Sequence, residues 1–333
     1  MAEKQKHNST FQVVTDTILA SLEEGVAPWV KPWNSNGLGL PANGKTKKTY
    51  QGINQILLSM AQVSGEFSSS KWLSFKQAVD LGGSVKGQKS QAFVVFYKRR
   101  AKFEGQWLSA KKESELIAEG MGSQIERIPF LTKTPVFNLD QVSGLPESFF
   151  EEEQASLEKT REFESPGIYE AVIQLMRQNN VKLLRNQDKA AYSPLRDIII
   201  MPPIQSFITK EDFCSTLLHE IGHWTGHQDR LDRDLSGKFG DEKYAFEELV
   251  AEISSAMMCA QLNIDGFLQH AEYIASWIDV LKNDNRAFFK AVKQAQDASE
   301  YLLNNAKPEF EQDQGQDQGQ EEYEEVSALP MAS

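Results

Sequence analysis

The run Thr216-Leu217-Leu218-His219-Glu220-Ile221-Gly222-His223-Trp224 restricts the fold of this chain more than any other stretch. Histidines four apart lie one turn above each other on a helix, so His219 and His223 offer two imidazoles to one point. Glu220 approaches the same cleft from the adjacent position. Neutral imidazoles suit zinc, and a glutamate beside them can take a proton from a water that the metal activates. Such a helix cannot work alone. A catalytic zinc needs a third protein ligand, so another element must fold back onto it.

Three third ligands are available. Glu248 and Glu252 lie in Tyr244-Ala245-Phe246-Glu247-Glu248-Leu249-Val250-Ala251-Glu252, a helical stretch otherwise apolar on one face. Two carboxylates there are costly to bury unless they meet a cation or a donor. One can bind the metal while the other accepts a hydrogen bond from a ligand histidine. Asp229 is the second option, through HExxHxxGxxD, and His227 the third. A second helix returning with glutamates is the common solution. The expected set is therefore His219, His223 and Glu248, with Glu252 behind them and Glu220 as general base. Trp224 and Met257 read as core. A strand at 197–201 is expected to offer an edge to an extended peptide, and Tyr244 or His227 is a candidate to stabilise an oxyanion.

Charge divides the chain. The net charge is −12, yet residues 1–107 hold 14 Lys and Arg against 7 Asp and Glu, and no basic residue follows Lys307. A basic front and an acidic back point to a polyanionic partner for the front alone. That front interleaves cations with rings, among them Trp29, Lys31, Trp33, Lys47, Lys48, Tyr50, Trp72, Lys76, Lys98, Arg99 and Arg100. Single-stranded nucleic acid is held by such surfaces, phosphates on Lys and Arg and bases on rings. The same tryptophans are equally what a core uses. Two cysteines, Cys214 and Cys259, fall in apolar helical patterns and read as buried thiols of a reducing compartment. No run of about 18 apolar residues is present, and the polar start carries no secretory pattern. The expectation is a cytoplasmic protein with no membrane partner.

Along the chain, helices are predicted after Ser9, at 52–63 and at 75–81, and strands at 92–97 and 134–141. The strand at 92–97 is expected to end in the cluster Lys98-Arg99-Arg100. An acidic linker is placed at 147–165. A helix at 167–178, strands at 181–184 and 197–201, and three or four further helices follow to about 305. Residues 307–333 are too polar to bury a core. The length allows two domains, each with its own core, at 8–146 and 166–306.

The chain resembles the ArdC family of antirestriction proteins of plasmids and phages. In the front the likeness rests on Gly25-Val26-Ala27-Pro28-Trp29 with Lys31-Pro32-Trp33, Tyr50-Gln51-Gly52-Ile53-Asn54, Trp72-Leu73-Ser74-Phe75-Lys76-Gln77-Ala78 and Leu81-Gly82-Gly83, closed by Val136-Phe137-Asn138-Leu139-Asp140-Gln141. In the back it rests on Tyr192-Ser193-Pro194, Met201-Pro202-Pro203, the 219–227 run with Arg230-Leu231, and Glu248-Leu249-Val250-Ala251-Glu252. The resemblance implies an α+β chain, a mixed α/β domain binding single-stranded DNA joined to a mostly helical zincin-like metallopeptidase domain with a small sheet. It implies a protein that shields incoming single-stranded DNA, with Zn2+ or another divalent metal in the second domain. One expectation is a DNA-binding zinc peptidase that cleaves a host or self protein. The competing expectation is a DNA-binding shield whose zinc site is structural. Secretion as a protease conflicts with the missing signal segment, and a zinc deaminase conflicts with the missing HxE and PCxxC pattern.

Overall fold

Ser9 opens the first helix, its hydroxyl accepting the Gln12 N–H at 3.2 Å. On the helix that follows, α1 (Thr10–Glu23), Val14, Ile18 and Leu22 form one fully buried face. Gly25, at φ 77°, lets the chain reverse so that the Val26 N–H reaches the Ser21 carbonyl. The computed structural model describes residues 9–29, 39–147, 149, 167–185, 189–238, 240–264 and 273–305. The expected linker at 147–165 therefore lies outside the described residues save for 147 and 149, as does the expected tail at 307–333.

The N-terminal half continues with β1 (Ala42–Asn43), α2 (Gly52–Ser64), β2 (Lys71–Ser74), α3 (Phe75–Asp80), β3 (Ala92–Phe103), β4 (Gln106–Trp107), α4 (Ala110–Ala118) and β5 (Glu126–Asn138). They build one sheet in the order β1-β2-β5-β3-β4, with β1 parallel to β2 and the other pairs antiparallel. The strand expected to stop at 97 runs on through the basic cluster to Phe103. Its partner β5 starts at Glu126, and the two stay in register from Ala92↔Val136 to Lys102↔Glu126. Cations are no obstacle to a strand whose side chains reach solvent, and no glycine or proline interrupts β3. Near its base, β3 presents Val95 to Asn54 of α2. The Asn54 amide donates to the Val95 carbonyl at 2.9 Å and accepts its N–H at 2.7 Å. That side chain satisfies a stretch of strand edge that would otherwise stay unpaired.

The C-terminal half comprises α5 (Ile168–Gln178), β6 (Leu183–Arg185), β7 (Ala191–Ser193), β8 (Ile198–Met201), α6 (Lys210–Thr225), α7 (Glu242–Gln261), α8 (Ile274–Asn283) and α9 (Ala287–Asn305). Its three strands lie in the order β6-β8-β7. Hence β8, the strand expected to receive a peptide at its edge, is the central one. Its backbone groups are already engaged by β6 on one side and β7 on the other.

Besides clusters of their own, the two halves share a core. One continuous cluster joins Val14, Ile18, Leu22, Trp29, Ile56 and Val95 to Leu249, Ile253, Trp277, Leu281, Phe288 and Val292. Trp29 is wholly buried, edge-on to Trp277 at 5.4 Å and tilted against Phe288 at 5.7 Å. Polar contacts follow the same seam. The Thr15 hydroxyl donates to the Asn285 carbonyl, Asn285 donates to Gln12, and Lys282 pairs with Glu23 at 2.8 Å. A second cluster, around Phe213, Leu217, Leu218 and Ile221 of α6, belongs to the C-terminal half alone. Among the described residues no helix is long and apolar enough to cross a membrane.

Candidate functional site

Helix α6 is the fixed part of the site. Thr209 and Asp212 cap its start reciprocally, at 3.0 and 3.2 Å. Phe213, Cys214, Leu217, Leu218 and Ile221 bury one side of it in the core. Helix α7 lies against α6, and Gly222 permits the close approach. A Cβ there would stand 2.5 Å from Ser254 Oγ and 3.1 Å from Ala251 Cα. The glutamates of α7 thereby come within reach of the histidines of α6.

Among the described residues, one group of side chains is arranged to hold a metal ion: His219, His223 and Glu248, with their ligand atoms within 4.8 Å of one another. His219 Nε2 lies 3.4 Å from one Glu248 oxygen and His223 Nε2 lies 3.5 Å from the other. Ligands at zinc-like bond lengths around a tetrahedron are about 3.4 Å apart, so the donor set fits such an ion. The opposite ring nitrogens are held as well. His219 Nδ1 is 3.2 Å from Glu252, and His223 Nδ1 is 3.1 Å from Glu247. A carboxylate facing each Nδ1 places the ring proton there and leaves Nε2 as the metal-facing lone pair.

The sequence points to Glu252 for this region, whereas Glu247 had no expected role. It is buried and clasped by Arg233, which donates from Nε at 3.0 Å and from Nη2 at 2.7 Å. Arg233 also donates to the Gly222 carbonyl at 2.7 Å and to Thr225 Oγ1 at 2.8 Å, satisfying the end of α6. The signal for Glu247 was present in the sequence: three glutamates within six residues of an apolar helix demand three partners. Arg233 had no such signal, because a turn brings it in.

The electrostatics suit a cation. Burial by itself would lower the pKa of His219 and His223, but the carboxylates outweigh it. Glu248 and Glu252 push His219 up to about 10, and Glu247 and Glu248 push His223 up to about 9. Burial alone would raise Glu248, yet its hydrogen bonds to the two histidines hold it well below the usual carboxylate range. Protons or a divalent ion can balance this charge, and the ion does so without costing the imidazoles their neutral form.

Of the other candidates, Tyr244 stays beside Glu248, while Asp229 is outside the ligand group. Asp229 is exposed and its side chain meets His227 at 3.4 Å. Trp224 and Met257 are core, as expected. The Arg230 guanidinium lies 3.7 Å over the Trp224 ring and bonds to Asp197 and Tyr192, tying the end of α6 to the three-stranded sheet. Tyr244 is a turn before Glu248 on α7, its hydroxyl 3.4 Å from that of Tyr273. Burial first, then that tyrosine and the Glu248 charge, push its pKa up.

Solved structures share this architecture. The metal-free crystal structure of antirestriction ArdC protein from the R388 plasmid superposes with a TM-score of 0.71 at 33% identity, over 90% of this chain and 98% of that one. The chain belongs to the ArdC antirestriction family. Residues 8–137 match the N-terminal domain of anti-restriction factor ArdC, and residues 170–294 match the zincin-like metallopeptidase family. The Mn(II)-bound structure of the R388 ArdC protein gives a TM-score of 0.70 at 34% identity, covering 91% of this chain and all of that one. An uncharacterized protein, y4eC, of Sinorhizobium fredii is 31% identical over 90% of this chain and 92% of its own length. Two Escherichia coli proteins named DNA primase TraC are 34% and 35% identical over 91% and 88% of this chain. This chain spans only 28% and 20% of their lengths.

In the N-terminal domain of this ArdC relative, the expected DNA-facing residues separate. Trp29 and Trp72 are fully buried, Trp72 edge-on to Phe67 at 5.5 Å, so neither ring can receive a base. Their size and apolarity are spent on long-range packing that local sequence does not reveal. Lys31 and Trp33 lie outside the described residues. Lys47, Lys48, Lys76, Lys98, Arg99 and Arg100 are exposed, and Tyr50 is half-buried. The structure does not gather them at one place. Lys47 and Lys48 sit beside β1 at one edge of the sheet, whereas Lys98 and Arg100 lie on the strand next to β4 at the other.

Proposed function

We propose that this chain is an antirestriction protein that binds single-stranded DNA through its N-terminal half and holds a peptidase centre in its C-terminal half, protecting incoming plasmid or phage DNA. The observation that carries the peptidase reading is the convergence of His219, His223 and Glu248 from two helices, each histidine backed by its own carboxylate. Three protein ligands are the mark of a catalytic zinc site, and closed structural sites use four. His219, His223 and Glu248 would hold the ion, zinc by the chemistry of the donors, with manganese as the precedent in the R388 protein. When bound, a divalent cation supplies Lewis acidity toward a carbonyl and acidifies water. Glu220, buried next to His219, would accept the proton of the attacking water and return it to the leaving amine. Glu252 and Glu247 orient the imidazoles, and Arg233 holds Glu247 in place.

The DNA half of the reading is supported by the exposed cations of the N-terminal domain and by the family match over 8–137. Segments similar to this chain within proteins named DNA primase agree with a role at DNA.

A second reading is favoured by one observation. Helix α7, which supplies Glu248, also supplies Leu249, Val250 and Ile253 to the core shared with α1 and Trp29. On that reading the ion braces the DNA-binding half and hydrolysis plays no part. Wild type and Glu220→Ala, compared for metal content, single-stranded DNA binding and protection of DNA from a restriction endonuclease, separate the two. Loss of protection with metal and DNA binding retained would support hydrolysis. Full protection by the variant would leave the bracing reading.

A further inference from the structure

Past Tyr97 the β3–β5 ribbon runs out from under α2. Near the base, even-numbered Ala92 and Val94 are buried with Leu58 of α2 and Trp72. Further out, odd-numbered Ala101 packs with Leu116 of α4 and Ile125, flanked by Phe103, Leu108 and Met121. Arg127 pairs with Glu113 of α4 at 3.0 Å on that side. Because α4 takes the odd-numbered face, the alternation of a strand sends Lys98, Arg100 and Lys102 to the opposite one. Their cross-strand partners Phe130, Ile128 and Glu126 share that face. Trp107, paired with Lys102, completes it.

The face is built for presentation. Lys98 and Arg100 are exposed, and Trp107 keeps 50% of its surface open. Glu104 and Gly105, at φ 46° and 82°, form the two-residue turn that suits a twisted hairpin, so β4 holds Trp107 in a fixed register. The Arg100 guanidinium lies 4.6 Å from the centre of the Trp107 ring. Three cations face a single carboxylate, Glu126, which selects a polyanion. One free aromatic flank among cations selects an unstacked base, since a duplex offers its bases only edge-on.

We propose that this outer face of the β3–β5 ribbon is a base-stacking site for single-stranded DNA. Trp107, steadied by Arg100, receives a base, and Lys98 and Lys102 take the flanking phosphates. Arg99 lies on the other face and has no part in it. The proposal rests on the reading that the chain binds single-stranded DNA, and it names where.

The test uses the full chain and an oligothymidylate of about 20 nucleotides, long enough for one site, with binding followed by anisotropy across a salt series. Trp107→Ala should weaken binding about tenfold or more and leave the salt slope unchanged, while Trp107→Phe should keep most of the affinity. Lys98→Gln with Lys102→Gln should lower the logarithmic salt slope by about 1.4. Metal content reports folding of each variant. Should Trp107→Ala lose metal too, the slope change of the lysine pair decides. If wild type binds and neither the Trp107 variants nor the lysine pair differ from it, the site is wrong and the single-strand reading stands. Equal losses on a blunt duplex would also overturn the stacking site. Failure of wild type to bind oligothymidylate would overturn the reading and the site together.

Discussion

Arg233 and Glu247 show how much of the candidate metal centre lies outside His219, His223 and Glu248. The pair is buried, and Arg233 spends its donors on Glu247, the Gly222 carbonyl and Thr225. Truncating Glu247 to Ala strands the guanidinium and frees the His223 ring. It should cost about 3–5 kcal/mol of stability and weaken metal binding about 10- to 100-fold. Denaturant titration and chelator competition measure the two effects separately, and unchanged metal affinity would show that His223 needs no such support. The histidines also set a pH dependence. Both are held above their ordinary 6.5, with His219 at about 10 and His223 at about 9. In metal-free protein their pairing contributes stability that is whole below about pH 6.5 and is lost as pH rises through about 9 to 10. Metal affinity runs the other way, because binding must displace those protons. Denaturation at pH 6 and pH 10, with and without metal, should show metal stabilising more at the higher pH.

Helices α6 and α7 form the site only because Gly222 lets them touch. A methyl group there meets the backbone of Ala251 at 3.1 Å and Ser254 Oγ at 2.5 Å, so the helices must part. Gly222→Ala should cost about 1–3 kcal/mol and lower metal affinity, since Glu248 and Glu252 recede with α7. Gly222→Ala with Ser254→Gly should recover part of both. Calorimetry and metal titration of the single and double variants test this, and a destabilised variant with full metal affinity would separate packing from the site. Locally, much at this scale was legible from the residues. The helix starts after Ser9 and Ser74, and α2 and α5, fall close to their expected places. The length of β3 did not, because Lys98 to Lys102 break the apolar pattern that betrays a buried strand. Pairing with β5, joined by β4 at Lys102, holds them extended.

The shared core should couple the two family segments into one folding unit. Trp29, Trp277 and Phe288 pack together from opposite ends of the chain. Trp29→Ala, a large-to-small change in that core, should cost about 3–5 kcal/mol. It should lower the unfolding temperature seen by a probe in either half by the same amount. A single calorimetric transition, and poor solubility of separately produced halves, are expected for the same reason. Two resolved transitions in wild type, one moved by metal and the other not, would contradict this coupling.

What the sequence determined by itself is what a periodic backbone dictates. Residues four apart on a helix share a face, so HExxH and the glutamates after Tyr244 pointed to His219, His223, Glu248 and Glu252, with Asp229 and His227 left as alternatives. The contrast of a basic front with an acidic back also needs no fold. The tertiary structure alone decided which rings are core and which are surface, burying Trp29 and Trp72 and leaving Trp107 open. It also turned β8 into a central strand and brought Arg233 to Glu247. The reason is physical. Local periodicity specifies which side chains share a face, but what that face meets depends on segments hundreds of residues away, and burial, edge and partner are properties of that meeting.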